Sequence, residues 1–280
     1  MKKISLALAA MMMAVLFVFA GCGENTAANP SITSGETTAD NSLQKVLDAG
    51  VLKMGLDDSF PPMGFRNENN EIIGFDLDVA AEVTKRMGVT LEPTVVDWNS
   101  KEMELESGTV DCIWNGLSIN TERQEKMNLS KPYMKNRMVF VVLGDSAYTN
   151  QSSLEGKKVG VQNGSTAQDI LEQSDLINKL ADVADYKENV TAFMDLENGT
   201  IDALFVDEVV ADYILNQKEE GKLRILDDSL YSEEYAIAFK KEGSNALKNK
   251  VEEILLQMKD DGTLAKISTK WFGKDITTFA

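Results

Sequence analysis

The stretch WNGLSINTER, Trp114 to Arg123, joins an apolar run to a polar corner and then to an arginine. Arg123 carries a planar, permanently charged fork suited to holding a carboxylate. Ser118 offers a hydroxyl that donates or accepts. Thr121 followed by Gln124 reads as a capping box, with Glu122 in the first turn, so a helix is expected to begin beside Asn120 and Thr121. The free N–H groups at such a start favour an anion. These residues together describe a grip for a small anion. The competing reading is a surface arginine paired with Glu122 or Glu125.

A second corner, QNGSTAQD from Gln162 to Asp169, combines Gly164, the hydroxyls of Ser165 and Thr166, and another helix start. Asp207 closes the apolar run Ala203–Val206, where a carboxylate is costly unless a cation or good hydrogen bonds meet it. The alternative is that Asp207 only caps the helix expected from Glu208. Two sets of carboxylate donors and one ammonium acceptor complement a free α-amino acid. Asp57 ends the run Val51–Leu56 and precedes Phe60-Pro61-Pro62, a place to meet a polar or cationic side chain. Phe60 and Trp98 are expected as flat walls there, with cation–π capacity. Trp114 is expected in the core.

The elements that must position these residues are written twice. ESGTVD (Glu106–Asp111) and ENGTID (Glu197–Asp202) each end a helical stretch at glycine and start a strand. Upstream, LKMGLDD around Gly55 matches KKVGVQNG around Gly160. The first copy is longer, and PPMGFRNENNEIIGF supplies the excess as a turn-rich hairpin. Helical patterns are read at Asp76–Met87, Lys101–Ser107, Thr166–Leu180, Asn189–Asn198 and Glu208–Asn216. Strands are read at Leu91–Val96, from Asp111, at Val159–Val161, at Val183–Tyr186 and from Asp202. Such alternation predicts parallel sheet with crossover helices, in two α/β lobes whose strand ends face a ligand. Glu234–Lys240 reads as a strand and Ser244–Asp261 as an amphipathic helix that packs back on the first lobe. Two crossings between lobes are expected, near Lys135–Met138 and Asp227–Tyr235.

The start of the chain has a different character. Lys2 and Lys3 precede an apolar segment, Ile4 to Ala20, which reads as a secretory signal peptide. Phe19-Ala20-Gly21-Cys22 resembles the lipobox of bacterial lipoproteins. That likeness implies cleavage before Cys22, lipidation of its thiol and a membrane tether. Residues 22–41, rich in Asn, Thr, Ala and Ser, read as a flexible linker. The remainder divides into lobe one, residues 42–136 plus 235–280, and lobe two, residues 137–234.

Composition narrows the chemistry. The net charge is −17, and losing Lys2 and Lys3 makes it more negative, which argues against nucleic acid and against adhesion to anionic lipid. There is no histidine, so neither Ser-His-Asp catalysis nor most transition-metal sites apply. Cys112, with Cys22 assigned to lipid, has no partner for a disulfide and reads as a buried inert thiol. No metal and no cofactor are expected.

From residue 43 to 273 the sequence resembles the extracytoplasmic solute-binding proteins of polar amino-acid ABC importers. The likeness rests on IIGFDLDVAAEVTKRMG (72–88), WNGLSINTERQEKMNLSKPYM (114–134), VGVQNGST (159–166), Asp207-Glu208 and MKDDGTLAKISTKWFG (258–273), in that order. It implies a type II periplasmic-binding-protein fold, two α/β lobes on a two-strand hinge, and no enzymatic chemistry. Carried over by position, Arg123 would grip the ligand's α-carboxylate, helped by amides near Ser118 and Thr166. Asp207 would take the α-ammonium with the Ser118 hydroxyl and the Gly116 carbonyl. Asp57, Phe60, Trp98 and Gln162 would line the side-chain pocket, with Asn115 and Ser165 beside these corners. At Asn115-Gly116 the chain departs from the serine pair of many basic-amino-acid binders, so glutamine, cystine, histidine, arginine and other polar side chains stay open. The implied partners are an ABC permease and its ATPase, with the binder a monomer. The competing classes are a sensor read by a membrane receptor and a dehydratase on the same fold.

Overall fold

The computed structural model describes residues 40–228 and 231–280. The expected signal peptide, Cys22 and the tether up to residue 39 lie outside these. The chain begins α1 (Ser42–Ala49), β1 (Val51–Leu56), a small antiparallel sheet of β2 (Ser59–Phe60), β3 (Gly64–Arg66) and β4 (Ile72–Ile73), then α2 (Phe75–Met87) and β5 (Thr90–Val95). It continues with α3 (Lys101–Ser107), β6 (Cys112–Ser118), α4 (Thr121–Lys126) and β7 (Met127–Leu129). A long strand, β8 (Met134–Leu143), leads into β9 (Lys158–Gln162), α5 (Thr166–Gln173), β10 (Asp182–Tyr186), α6 (Asn189–Glu197), β11 (Ala203–Asp207), α7 (Glu208–Leu215) and β12 (Leu223–Ile225). A second long strand, β13 (Tyr231–Lys240), returns to α8 (Asn245–Asp260) and α9 (Thr263–Phe272).

Strand order in the main sheet is β10-β9-β11-β8-β13-β6-β1-β5. Lobe one is built on β5, β1 and β6, and lobe two on β10, β9 and β11. In each lobe the first strand lies between the other two and pairs parallel with both. The join is β8 against β13, antiparallel from Tyr231↔Met138 to Tyr235↔Met134. This is the two-strand crossing read from the sequence, with the return strand starting at Tyr231 instead of Glu234.

The repeated motif acts as the same lock in both lobes. Asp111 N–H donates to the Lys53 carbonyl at 2.8 Å, and Lys53 N–H donates to Asp111 Oδ2 at 2.8 Å. In lobe two, Asp202 N–H donates to the Lys158 carbonyl at 2.8 Å, and Lys158 N–H donates to Asp202 Oδ2 at 2.9 Å. Each aspartate thereby starts its strand and fixes its neighbour. A Cβ added at Gly55 would lie 2.6 Å from Ile113 Cδ1, and one at Gly160 would lie 2.6 Å from Ile201 Cδ1. Glycine is needed at both because an isoleucine packs flat on the strand.

Two of the strands that end at the cleft are buried along their whole length: every residue of β6 and of β11 is inside. Strands covered on both faces are continuous apolar runs for this reason, and full burial of each large side chain stabilises by about 1.5–3 kcal/mol. Trp114 sits in the core, as expected. Helix α2 buries Leu77, Val79, Ala80 and Val83 and stops at Gly88 in the left-handed region. The tail helix α8 packs on α1, α2 and α9, which places it on lobe one.

Two local readings are corrected. Asn120 caps α4, its side chain accepting from Arg123 N–H at 2.8 Å, so Thr121 is already inside the helix and the Thr121–Gln124 box does not form. The helix expected over Thr166–Leu180 ends at Gln173. Ser174 turns its hydroxyl onto the Leu171 carbonyl at 2.7 Å, and a short 3₁₀ turn over Ile177–Lys179 follows. Serine competing for a helix carbonyl is a recognised way to end a helix.

Candidate functional site

Every one of the corner residues converges on the cleft side of the β8–β13 crossing. Arg123, on α4, is buried with 3% exposure. Its Nη1 donates to the Ser118 carbonyl at 2.9 Å and across the cleft to Thr166 Oγ1 at 2.8 Å. It does not pair with Glu122 or Glu125. Glu122 pairs with Lys126 instead. Burial pulls the guanidinium below its usual range, against the pull of Glu233, Asp169, Glu102 and Asp207.

Opposite it, Asp207 ends β11 with 6% exposure. The side chain makes no capping bond to α7. Its Oδ1 accepts from Asn136 Nδ2 at 2.8 Å and from the Tyr235 hydroxyl at 2.5 Å. Burial pushes its carboxyl up, eased by the Tyr235 hydroxyl, by Glu233 and by Arg123. Glu233 lies beside it on β13, also 6% exposed, its Oε1 accepting from the same Asn136 Nδ2 at 2.6 Å. Burial and the Asp207 charge push Glu233 up to about 8. Among the described residues, neither acid nor Arg123 has an ion-pair partner.

A second bridge crosses the cleft at Asp57. Gln162 Nε2 donates to Asp57 Oδ2 at 2.6 Å, and Asn189 Nδ2 donates to Gln162 Oε1 at 2.8 Å. Asp57 is pushed up to about 6 by burial, partly offset by Gln162 and the Ser59 N–H. Asn115 is turned toward lobe one: its Oδ1 accepts from Asp57 N–H at 3.1 Å and its Nδ2 faces Gly64. Gly116, at φ +55, passes between Phe60 and Tyr235, where a Cβ would sit 2.8 Å from Phe60 Cε1. Its N–H donates to Asp76 Oδ2 at 2.8 Å, a carboxyl pushed up to about 7 by burial. Ser165 caps α5 by accepting from Gln168 N–H at 3.2 Å.

Trp98 differs from the flat wall foreseen. Its ring is packed with Val96, Leu105, Val110 and Ile113, and Lys101 Nζ stands 5.1 Å from its centroid. The cation over Trp98 thus comes from the chain itself. Lys101 is buried, donates to the Trp98 and Gly164 carbonyls at 3.0 and 2.9 Å, and is pulled down to about 7 by burial and by Arg123. Cys112 is buried and its thiol is pushed up by burial, which keeps it inert at neutral pH.

Sequence reasoning missed Glu233, Asn136, Lys101 and Asn189. Glu233 had a signal: it precedes Tyr235, Ile237 and Phe239 at two-residue spacing, on the inward face of its strand. Two open grooves border the site at Asn136, and the one of about 700 Å³ is also lined by Glu233. The other, of about 680 Å³, runs behind the crossing between Tyr213 on α7 and Trp271 on α9. The residues of the site are drawn together, with Arg123–Thr166, Gln162–Asp57 and Lys101–Gly164 bonded across the cleft.

The chain as a whole is similar to known proteins. The chain fits the family described as bacterial extracellular solute-binding proteins, family 3, over residues 52–274. It belongs to that family. A curated relative, the L-cystine-binding protein TcyJ of Escherichia coli, is 32% identical over 239 residues, covering 84% of this chain and 87% of the relative. A solved substrate-binding protein of an ABC uptake transporter from Streptococcus pneumoniae, with bound histidine, is 35% identical with a TM-score of 0.83, covering 86% and 100% of the two chains. An ancestral amino acid-binding protein, described as a precursor of cyclohexadienyl dehydratase, is 29% identical with a TM-score of 0.76, covering 82% and 99%. The fold is the type II periplasmic-binding-protein fold of these neighbours. No described helix is long and apolar enough to cross a membrane.

Proposed function

We propose that this chain binds a polar L-amino acid outside the cell membrane by closing its two lobes on it, and delivers it to the permease of an ABC importer. The observation that carries this reading is the pairing of a buried guanidinium without an acid and buried carboxylates without a cation, a few residues apart in space on facing sides of one cleft. A zwitterion supplies both missing charges. Arg123 takes the α-carboxylate, with Thr166 and the amide near Ser118. Asp207 takes the α-ammonium, with the Ser118 hydroxyl and the Gly116 carbonyl. Asp57, Gln162 and Phe60 receive the side chain, and Trp98, Asn115 and Ser165 support that wall. The Asp57–Gln162–Asn189 chain offers acceptors and donors, so the side chain is polar.

Because each lobe contributes to one head group, the ligand favours the closed arrangement, and that differential affinity shifts the population. The moving units are residues 42–136 plus 235–280 and residues 137–234, turning on β8 and β13. Cys22 carries a lipid that tethers the protein, a monomer, near its permease and ATPase. These assignments rest on the sequence of the first residues and on the family.

A melting-temperature screen of the refolded chain against glutamine, cystine, histidine, arginine and the remaining amino acids tests the reading. At a hundredfold excess over Kd, binding stabilises by about 2.7 kcal/mol, or roughly 5–10 °C at this size. No shift with any amino acid overturns it. Raised carboxyls such as Asp57 are also what an acid catalyst needs, so cyclic amino-acid precursors are assayed for turnover in parallel. Turnover would move the chain to the dehydratase reading.

A further inference from the structure

Asn136 occupies an unusual place. Its Nδ2 donates to Asp207 Oδ1 at 2.8 Å and to Glu233 Oε1 at 2.6 Å, so one amide nitrogen holds two carboxyl groups together. The amide orientation is fixed from the other side, where Val209 N–H approaches Asn136 Oδ1 at 3.5 Å. Two carboxylates in such contact, away from water, do not both ionise without a cation between them. Glu233 Oε2 is fully buried and has no hydrogen-bond partner within 3.5 Å among the described residues.

The surroundings show which acid holds the proton. Asp207 receives two donors, Asn136 and the Tyr235 hydroxyl, and is the better stabilised anion. Glu233 receives Asn136 on one oxygen only, with the Ser118 hydroxyl nearby. Arg123, on α4, faces both acids without an ion pair. From behind, Lys135, Arg137 and Glu208 line the groove that reaches Glu233, and Arg137 is already paired with Glu208. Among the described residues Arg123 is the cation that faces the pair, and it stands outside ion-pair distance of either acid, which leaves the space between them without a cation.

We propose that Glu233 is a second carboxyl of the cation subsite, protonated in the empty protein, and that it releases its proton to solvent when the ligand's ammonium group takes the place between Glu233 and Asp207. This rests on the amino-acid reading above. The step balances: Glu233 changes from carboxylic acid to carboxylate, one proton leaves to buffer, and the incoming –NH₃⁺ restores the local charge. Linkage then requires that affinity rise with pH while the empty site stays protonated, by up to about tenfold per pH unit. The raised value of about 8 puts that window near neutral pH.

Calorimetry of the full chain with L-glutamine, L-arginine and L-cystine, in phosphate and in Tris at pH 7, counts the protons released. Wild type is expected to release close to one proton, and to bind several-fold tighter at pH 7.5 than at pH 6.5. Glu233→Gln keeps the Oε1 acceptor for Asn136, and is expected to bind with almost no proton release and a flat pH profile. Binding by wild type without proton release, or full release by Glu233→Gln, overturns the inference and leaves the amino-acid reading intact. If none of the three gives binding heat, the same titrations are run with the amino acid that raises the melting temperature in the screen, and no shift and no heat with any amino acid overturns both. Should Glu233→Gln not fold, carboxyl ¹³C spectra of wild type decide: a glutamate that titrates above pH 7 without ligand, and is ionised at pH 7 with it, supports the inference. Glutamates that all titrate below pH 6 in the empty protein reject it.

Discussion

The two lobes share a frame and differ in what they bring to the cleft. In both, a glycine-bearing strand is flanked by two parallel partners and held by an aspartate that bonds its backbone twice. On this common frame lobe one adds the β2–β4 hairpin, α8 and α9, and contributes the buried cations Arg123 and Lys101. Lobe two adds no such elements and ends its equivalent strand in Asp207. The difference teaches that the fold is a symmetric support for an asymmetric charge pair. A dipolar ligand requires that asymmetry, since identical lobes would present the same charge twice.

The strongest way to break this comparison is to remove one pole. Arg123→Ala leaves a buried charged contact without its partner, and is expected to weaken binding by about 2–5 kcal/mol. Calorimetry that finds affinity within about tenfold of wild type would sink the assignment of the positive pole to lobe one.

The shared frame can be tested next. Gly55→Ala and Gly160→Ala each force a methyl to within 2.6 Å of an isoleucine Cδ1. Overpacking of this kind costs about 1–3 kcal/mol. Chemical denaturation should give similar losses for the two variants, and a clear disparity would show that the repeats are not packed alike.

The smallest effect sharpens the comparison through pH. Asp202 also accepts from the Tyr148 hydroxyl at 2.6 Å. Burial raises its carboxyl, but the Lys158 N–H and Tyr148 outweigh this and leave it below the usual 3.8. Its contribution to stability is present above pH 3.8 and lost as pH falls through the lowered value. Asp111 lacks the tyrosine, and burial holds it above 3.8 despite the Lys53 N–H. Its contribution has the opposite sign, favouring the fold at acid pH and fading as pH rises through the raised value. Melting curves from pH 3 to 6 should therefore steepen for Asp111→Asn and flatten for Asp202→Asn, by about 1 kcal/mol or less. The same slope change in both would contradict the role given to Tyr148.

Much of the fold was legible because its signals are local. Glycine ended α2 and α3, the aspartate after Gly-Thr-x began each inner strand, and both crossings fell where expected. The helix caps were harder. Asn120 and Thr121 both suit a cap, and only the position of Arg123 N–H decides between them. The contacts that cross the cleft were legible where a residue ends a repeated strand, as Gln162 and Asp207 do, or lies in the helix that follows one, as Arg123 and Thr166 do. Glu233 and Asn136 sit on the crossing strands, which have no counterpart within the repeat. Lys101 begins α3 beside two glutamates, as many surface lysines do, and becomes a buried cation only when Gly164 arrives from lobe two.

The chain's path through the two lobes has a consequence for its making. Every strand of lobe two except β13's short overlap is written between residues 134 and 225, whereas lobe one waits for β13, α8 and α9 from residues 231–280. Until these arrive, β6 presents an open edge made of CIWNGLS, a run that is wholly buried in the finished molecule. An unpaired apolar edge is a template for association with another chain. A chain made amino end first is thus most vulnerable late in synthesis, when lobe one still lacks its closing strand. A premature stop after β12 would leave the β13-facing edges of both β6 and β8 open, so the final fifth of the chain is what closes the sheet.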